Sequence, residues 1–220
     1  MTSNSKTRLD LPELTRSACD IAANAAEKIL LIYNTDFSID RKDDRSPLTN
    51  ADMASHDAIC SQLAELTPEY PVLSEESAHV PYSERKTWET YWLVDPLDGT
   101  REFIKQNGEF TVNIALIHRQ KPVLGVVNVP VADTTYYAFA GHGTIKKVDG
   151  REEELIHVRR TDPAHICIAG SRSHGNEILR AFVNSIENCD LLSVGSSLKF
   201  CLIAEGRADI YPRFGPTSEW

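Results

Sequence analysis

The spacing of apolar side chains predicts two helices in the first third of the chain. From residue 12 to about residue 33, apolar residues recur every three or four positions, which is the period of an amphipathic α-helix. A second helix is predicted from about residue 50 to residue 66. Asp52 falls in the first turn of this second helix, where a negative side chain is favourable next to the helix dipole. Helical position alone can therefore explain Asp52 without any chemistry.

Short apolar runs rich in β-branched and aromatic residues predict the strands. They lie at 71–74, 91–94, 111–118, 121–129, 134–140 and 154–158, with a hairpin joining 111–118 to 121–129 and a turn at 141–143. Beyond residue 163 the pattern changes, because strands at 165–169, 191–194 and 208–211 alternate with helices at 176–186 and 197–205. We therefore expect an N-terminal α+β half over residues 1–163 and a smaller α/β half over residues 164–220.

Two aspartates flank a proline at the end of a predicted strand. Asp95 follows the strand 91–94 directly, and Pro96 is expected to turn the chain, because it fixes φ and lacks an N–H group. Gly99 allows a tight turn, so Asp95 and Asp98 are held close together on a rigid corner. The backbone amides that follow can face an anion, particularly where a helix begins. The alternative is an ordinary surface turn, because each residue of this motif favours turns.

A further acidic pair, beginning with Glu75, follows the predicted strand 71–74. Strand ends in α/β sheets are where ligand-binding groups collect. Glu75, Asp95 and Asp98 together supply an oxygen-only donor set, which suits Mg²⁺ and a phosphate ligand. This set predicts metal-assisted hydrolysis of a small-molecule phosphoester by water, which needs a base and an orienting hydroxyl. Asp52 and Thr100 are the candidates for these two roles, provided that the fold brings them together.

Composition and missing motifs exclude several other functions. The formal net charge of −9 argues against a nucleic-acid phosphate backbone as partner. No apolar run approaches membrane-spanning length and the N-terminus lacks a signal-peptide core, so we expect a cytoplasmic protein. The five cysteines are scattered without a CxxC pair, which predicts reduced thiols and no structural zinc site. The seven histidines lack metal-ligand spacing, and the GxGxxG, P-loop and GxSxG motifs are missing from the sequence.

Several separated stretches resemble one known family. The sequences EES at 75–77 and DPLDGT at 95–100 are similar to those of the lithium-sensitive inositol monophosphatase superfamily. Three further stretches resemble one group within this superfamily, the bacterial 3′(2′),5′-bisphosphate nucleotidases of the CysQ type. They are REFIKQNGEFTVN at 101–113, GSSLKF at 195–200 and AEGRADIYPR at 204–213. The resemblance covers nearly the whole chain. It implies a layered α+β and α/β fold, the αβαβα sandwich of the inositol monophosphatase and sugar phosphatase type.

The resemblance also implies an activity. It is the Mg²⁺-dependent removal of the 3′-phosphate from 3′-phosphoadenosine 5′-phosphate (PAP), giving AMP and phosphate in sulfur assimilation. PAPS, which would give APS, is a further candidate substrate. We expect two or three Mg²⁺ ions in the site and inhibition by Li⁺. The expected partner is a small molecule rather than a nucleic-acid polymer. The implied location is the cytoplasm, with peripheral attachment to the inner membrane as an alternative.

Roles for individual residues follow from the same resemblance. The residues that would bind Mg²⁺ are Glu75, Asp95, Asp98 and, through its carbonyl, Leu97. Asp52 and Thr100, together with Glu75, would orient and deprotonate the attacking water. The scissile phosphate would be held by the backbone of Asp98, Gly99 and Thr100, beside Glu75 and Leu97.

Nucleotide-binding roles fall on the second half of the chain. Ser196, Lys199 and Arg213 resemble nucleotide-binding positions, and His174 is a further candidate. On spacing alone, Lys199 would be a solvated lysine on a helix and Arg213 a plain loop arginine. A positive pair suits the second phosphate of PAP, which the metal ions do not reach.

One departure from the family pattern concerns the C-terminal end. The family continues after a Glu-Trp pair with an aspartate that binds metal, whereas this sequence stops at Trp220. We therefore expect a truncated C-terminal end, an incomplete second half, and weak activity and poor stability for these 220 residues alone. Two other functions stay open: inositol monophosphatase or another sugar phosphatase with the same metal core, and a catalytically impaired protein that binds PAP without hydrolysing it.

Overall fold

The helices begin and end close to their predicted positions. The computed structural model describes residues 9–34, 39–41, 47–172, 177–215 and 217. Its α-helices are α1 (Leu11–Tyr33), α2 (Asn50–Leu66), α3 (Tyr82–Arg85), α4 (Thr100–Ile104), α5 (Glu177–Asn184) and α6 (Leu198–Ala204), and a 3₁₀ turn covers Pro130–Ala132. The predicted helices 12–33 and 50–66 are confirmed as α1 and α2, and the two later ones correspond to α5 and α6. None of the described helices is long and apolar enough to cross a bilayer.

The strands of the described residues form three sheets. They are β1 (Ile39–Arg41), β2 (Pro47–Thr49), β3 (Val72–Ser74), β4 (Thr90–Asp98), β5 (Thr111–His118), β6 (Lys121–Val129), β7 (Thr134–Phe139), β8 (Gly143–Val148), β9 (Glu154–Ile156), β10 (Ile166–Ser171) and β11 (Cys189–Val194). Strands β3 to β9 lie side by side in chain order in one large sheet. Only the β3–β4 pair of this sheet is parallel, and the other neighbours are antiparallel. Strands β10 and β11 form a parallel pair, and β1 and β2 an antiparallel one.

Helices α1 and α2 cover one face of the large sheet. Strand β6 shows how its two faces divide, because side chains alternate along a strand. Leu124 and Val126 are buried in the cluster that includes α1 and α2, whereas Val129 is buried in a separate cluster with α6. Ala18 and Ala22 of α1 are fully buried in the first cluster, and their small side chains let α1 lie close to the sheet and to α2.

Helix α6 lies between the large sheet and the β10–β11 pair. Its Cys201 is buried against the large sheet, whereas Leu202 packs with Ala169 of β10. Helix α5 covers the opposite face of β10, where Leu179 lies against Gly170. The layers therefore run from α1 and α2 through the large sheet, α6 and the small sheet to α5. This order confirms the predicted αβαβα sandwich.

Strand β4 continues past the point at which it was expected to end. The prediction placed a turn at Pro96, but β4 runs on to Asp98 with a bulge. Asp95 pairs with Asn113 and Asp98 pairs with Thr111, so β4 has one residue more than β5 between these pairs. A proline suits this position because it has no N–H group to donate to the ladder. The bulge, rather than a turn, therefore directs the two aspartates.

Two other strand predictions were wrong or incomplete. The turn at 141–143 is confirmed, but β8 follows it and was not predicted, because its apolar residues are interrupted by Lys146 and Lys147. The predicted strand 208–211 is only a single bridge between Ile210 and Ile168. The neighbouring carboxylate of Asp209 accepts the N–H of Cys167 at 2.7 Å, so a side chain replaces part of the expected ladder.

Candidate metal and phosphate site

Helix α2 is fastened to the β4 bulge by one buried contact. The hydroxyl of Ser55 donates a hydrogen bond of 2.8 Å to the carbonyl oxygen of Pro96. Asp52 lies three residues earlier on the same helix, and its side chain is buried beside the bulge. A buried carboxylate needs a compensating partner, so its position here is not explained by the helix dipole alone. The fold thus brings Asp52 to the corner that carries Asp95.

Parallel pairing of β3 with β4 brings Glu75 to the same corner. Ser74 lies opposite Val94 in the register, and the N–H of Glu75 donates to the carbonyl of Val94 at 3.1 Å. Glu75 therefore leaves its strand next to Asp95, as expected for residues at adjoining strand ends. Its side chain is exposed, in contrast to the buried side chains of Asp52 and Asp95.

Burial and neighbouring carboxylates shift the pKa values of both aspartates upward. The pKa of Asp95 is raised well above its usual value, first by burial and then by the charges of Asp98, Glu75 and Asp52. The N–H of Leu97 opposes this shift by donating to Asp95. Burial also raises the pKa of Asp98, against the opposing charge of the Lys199 ammonium. An acidic cluster that disfavours its own ionisation is one that a cation would stabilise.

The donor chemistry of this corner fits a magnesium ion. Within the described residues, the buried Oδ1 atom of Asp95 has no hydrogen-bond partner, although such atoms are usually satisfied. The surrounding donors are all oxygens, which are the ligands that Mg²⁺ prefers. In the part of the chain that the structure describes, no three His, Cys, Asp or Glu side chains form a ready-made metal cluster. The fit therefore rests on the unsatisfied oxygen and the donor types.

Gly99 allows the close approach of three chain segments. Its φ of +98° is left-handed, and it caps the N-terminus of α4, which begins at Thr100. A Cβ atom here would lie 3.1 Å from the Glu109 carbonyl oxygen and 3.2 Å from Cβ of Ser196. A larger residue at position 99 would therefore have a strained backbone conformation and a side chain too close to its neighbours. Thr100 is only partly exposed at the start of this short helix.

Ser196 and Lys199 lie near the Asp98–Gly99 end of the corner. Ser196 is buried with a left-handed φ of +48°, and its carbonyl accepts a hydrogen bond from the Lys199 ammonium. Lys199 is only 5% exposed, so the expectation of a solvated lysine from helical spacing alone was wrong. Burial lowers its pKa, while the charges of Asp98 and Glu102 oppose this shift. Lys199 therefore places a buried positive charge beside Asp98.

Of the other two predicted nucleotide-binding residues, Arg213 lies within the described part of the chain and His174 does not. Arg213 is exposed, and its Nη1 atom lies 3.4 Å from the hydroxyl of Tyr211. Its charge lowers the pKa of Asp98 and of Lys199, so it lies near both. The charges of Lys199 and Arg213, the predicted positive pair, therefore act on each other.

Some residues that shape the site were not among the site residues predicted from the sequence. The Ser197 hydroxyl donates to Oδ1 of Asn113 at 2.7 Å and lies 2.9 Å from the Thr111 hydroxyl. The backbone of Ser197 also hydrogen bonds to Asp98. These contacts tie the start of α6 to β5 and to the corner. Polar residues at alternate positions of a strand, such as Thr111 and Asn113, were the available hint, since both point to one face of the sheet.

Comparison with known proteins finds relatives of this chain in both sequence and fold. Residues 10–220 match the inositol monophosphatase family. The 3′(2′),5′-bisphosphate nucleotidase CysQ of Salmonella typhimurium is 48% identical over 209 residues, which are 94% of this chain and 83% of that protein. CysQ of Escherichia coli strain K12 is also 48% identical, over 204 residues that are 92% of this chain and 81% of that protein.

Solved structures agree with the sequence comparison. The crystal structure of CysQ from Bacteroides thetaiotaomicron, a bacterial member of the family, superimposes with a TM-score of 0.82 and 42% identity, covering 97% of this chain and 84% of that one. A LiCl-soaked inhibitory complex of staphylococcal inositol monophosphatase-1 gives a TM-score of 0.77 at 20% identity, covering 93% of this chain and 75% of that one. The second similarity concerns the fold alone.

Proposed function

The chain belongs to the inositol monophosphatase family, and from this premise we propose that it is a 3′(2′),5′-bisphosphate nucleotidase. It hydrolyses the 3′-phosphate of PAP to give AMP and phosphate in sulfur assimilation. The observation that carries this function is the 48% identity with CysQ over 94% of the chain. Inositol 1-phosphate has a single phosphate, so it does not account for a buried lysine beside an arginine next to the metal corner. PAPS is a second candidate substrate with the same 3′-phosphate.

The proposed metal ligands are the carboxylates of Glu75, Asp95 and Asp98 and the carbonyl of Leu97. The family depends on Mg²⁺ and is inhibited by Li⁺. When bound, Mg²⁺ supplies Lewis-acid activation of water and neutralises charge on the phosphoryl group. The unsatisfied Oδ1 of Asp95 supports this assignment, since it is buried among other carboxylates. Two or three ions are proposed for the full site.

Asp52 and Thr100 are the proposed base and orienting hydroxyl. The charge of the buried Asp52 carboxylate raises the pKa of Asp95. This supports a position for Asp52 within the acidic cluster rather than on the protein surface. In the proposed mechanism it accepts the proton of the attacking water, with Glu75 assisting. The Thr100 hydroxyl orients this water from the first turn of α4. Water is the nucleophile, so no covalent enzyme intermediate is needed.

The backbone from Leu97 to Thr100 is proposed to hold the scissile phosphate. The left-handed conformation at Gly99 turns successive N–H groups toward one side of the chain, which is the geometry of an anion-binding nest. Glu75 and Asp98 would hold the metal ion beside the same phosphate. Thr100 therefore contributes both its amide and its hydroxyl.

Ser196, Lys199 and Arg213 are proposed to bind the second phosphate. The positive charges of Lys199 and Arg213 both act on Asp98, which supports a position for them next to the metal corner. The buried Lys199 ammonium should interact with phosphate more strongly than a solvated lysine would. His174 stays a candidate from the sequence. In this proposal the two halves of the chain have different roles: residues 1–163 supply the metal ligands and residues 164–220 supply the nucleotide contacts.

A cytoplasmic location completes the proposal. All five cysteines are free thiols, which is the usual state in a reducing compartment. Peripheral attachment to the inner membrane has no support among the comparisons.

Phosphate release tests the proposed function directly. PAP and inositol 1-phosphate are compared across a Mg²⁺ titration, with and without Li⁺, for the unchanged protein and for Asp98→Asn. We expect Mg²⁺-dependent and Li⁺-sensitive release that prefers PAP and is lost in Asp98→Asn. A preference for inositol 1-phosphate would assign the sister activity and remove the nucleotide role of Lys199 and Arg213. Binding of PAP without phosphate release would instead identify a binding protein.

A further inference from the structure

Arg172 and Glu109 form a bidentate ion pair that joins the two sheets near the site. Nε of Arg172 donates to Oε2 of Glu109 and Nη2 donates to Oε1, both at 2.7 Å. Arg172 directly follows β10 of the small sheet, and Glu109 lies just before β5 of the large sheet. The Arg172 side chain is 46% exposed. Because partly exposed ion pairs contribute little to stability, the position of this pair is more informative than its strength.

Glu109 also holds the backbone of Gly195. The N–H of Gly195 donates to Oε2 of Glu109 at 2.9 Å, so the same carboxylate oxygen is shared with Nε of Arg172. Gly195 is buried, and a Cβ atom there would lie 2.4 Å from Cγ of Glu102 and 2.8 Å from the Glu109 carbonyl oxygen. The glycine is thus enclosed between two glutamates. We call this arrangement of Arg172, Glu109 and Gly195 the clamp.

The residues that follow the clamp are those proposed to bind the second phosphate. Ser196 adopts a left-handed φ immediately after Gly195, and its carbonyl accepts a hydrogen bond from Lys199. The carbonyl of Val194, which immediately precedes the clamp, lies 3.4 Å from the same ammonium. A shift of Gly195 would therefore move both carbonyls that orient Lys199.

Charge gives the clamp a second effect on Lys199. The carboxylates of Glu102 and Glu109 both raise the pKa of Lys199, so both attract its ammonium. Arg172 engages both oxygens of Glu109, which reduces the attraction between Glu109 and Lys199. Without Arg172, Glu109 would compete with a phosphate for the lysine. Arg172 thus acts through Glu109 rather than by touching the substrate.

We propose that Arg172 is a positioning residue for the second-phosphate site, where it holds Glu109 against Gly195 and keeps the Lys199 ammonium available to substrate. This role rests on the proposed function, because it concerns the phosphate of PAP that is not hydrolysed. The clamp should therefore affect substrates with two phosphates more than those with one.

The test compares PAP with adenosine 3′-monophosphate, which has the scissile phosphate but lacks the 5′-phosphate. Arg172→Ala is expected to raise the KM for PAP by about tenfold to a hundredfold, with a much smaller rise for the monophosphate. The kcat for PAP should change far less than KM, because the side-chain hydrogen bonds described for the clamp join Arg172 and Glu109 to each other and to Gly195 rather than to a proposed metal ligand or the water-activating pair. Arg172→Lys keeps the charge but not the planar fork, so it should restore part of the PAP affinity.

Arg119→Ala is the matched control. Arg119 also pairs with a glutamate, Glu89, at 2.8 Å, and both side chains are exposed. The Arg119→Ala substitution should leave the KM values for PAP and for adenosine 3′-monophosphate unchanged. The double variant Arg172→Ala with Glu109→Gln should have a lower KM for PAP than Arg172→Ala, because it also removes the carboxylate that competes for Lys199. Its KM should still exceed that of the unchanged protein, because the Arg172–Glu109 contact is lost.

The outcomes separate the clamp from the proposed function. An unchanged KM for PAP in Arg172→Ala, or equal rises in KM for both substrates, would overturn the positioning role. Failure of the unchanged protein to hydrolyse PAP would overturn the proposed function, and the clamp's role with it. Thermal denaturation identifies a variant that has unfolded, in which case Arg172→Lys and Glu109→Gln provide the same two-substrate comparison.

Discussion

The hydroxyl of Ser55 and the carbonyl oxygen of Pro96 lie 2.8 Å apart across 41 residues of sequence. Ser55 is fully buried, and this hydrogen bond fastens helix α2 to the β4 bulge. Asp52, one helical turn earlier, is thereby placed beside Asp95. The contact therefore links the proposed base to the proposed metal corner.

Ser55→Ala is expected to lower both stability and turnover. It leaves the Pro96 carbonyl without its donor, which should lower the free energy of unfolding by about 1–3 kcal/mol. The kcat for PAP should fall more than KM rises, because Asp52 is proposed to act on the attacking water. Urea denaturation and steady-state kinetics measure the two effects. Ser61→Ala is the control on the same helix, since the exposed Ser61 hydroxyl donates to the Asp57 and Ala58 carbonyls of its own helix and its loss should change little. Equal effects of the two substitutions would contradict the role given to Ser55.

Gly99→Ala should destabilise the protein more than Gly141→Ala. Both glycines have a left-handed φ, +98° and +86°, so alanine costs about 1–2 kcal/mol of conformational energy at each. Only at Gly99 would the new Cβ also meet the backbone of Glu109 and Phe110 at 3.1 Å and 3.3 Å, whereas Gly141 faces open space. Thermal denaturation of the two variants isolates the contact from the conformational effect. A similar loss in Tm for both would mean that the corner has room for a side chain.

Asp95→Asn should stabilise the metal-free protein and remove its response to Mg²⁺. Asp95 is buried among other carboxylates, so a neutral side chain of the same shape relieves repulsion when no cation is present. A ligand that binds only the folded state raises Tm, and loss of a proposed ligand should abolish this increase. Melting curves with EDTA and with Mg²⁺ test both parts. Asp149→Asn, at an exposed aspartate, should retain the Mg²⁺ response. If Asp95→Asn responds to Mg²⁺ like the unchanged protein, Asp95 is not a ligand.

Asp209→Asn should reduce the acid sensitivity of folding. The Arg159 guanidinium holds the pKa of the Asp209 carboxyl well below its ordinary value of 3.8, and the N–H of Cys167 acts in the same direction. In acid the unfolded chain therefore binds a proton that the folded chain does not. This stabilising contribution is present above the unfolded pKa and is lost as pH falls through the lower folded value.

Urea denaturation between about pH 5 and pH 2 measures this contribution. The unchanged protein should lose stability more steeply than Asp209→Asn across this range. The variant should be less stable than the unchanged protein at neutral pH, because it loses the ion pair with Arg159. Parallel pH profiles for the two proteins would show that Asp209 does not contribute to acid sensitivity.

Local patterns in the sequence determined most of the secondary structure and the chemical identity of the corner. Helices α1 and α2 follow from a period of three to four residues, and strands β5 and β6 from runs rich in apolar residues. The proximity of Asp95 and Asp98 could be predicted from the sequence because the two residues are close along the chain. The same local reasoning failed at β8, where two lysines interrupt the apolar pattern, and at 208–211, where the Asp209 side chain takes a backbone donor.

Only the tertiary structure decided which polar residues surround that corner. The Ser55–Pro96 bond spans 41 residues, and the Glu109–Gly195 bond spans 86. No local period encodes such contacts, because they depend on how helices pack on sheets and on the register of neighbouring strands. Lys199 illustrates the difference, since its helical spacing predicts a solvated side chain but the packing of α6 between the two sheets buries it. The sequence alone determined the donors for a metal and a phosphate, and the fold decided which charges face them.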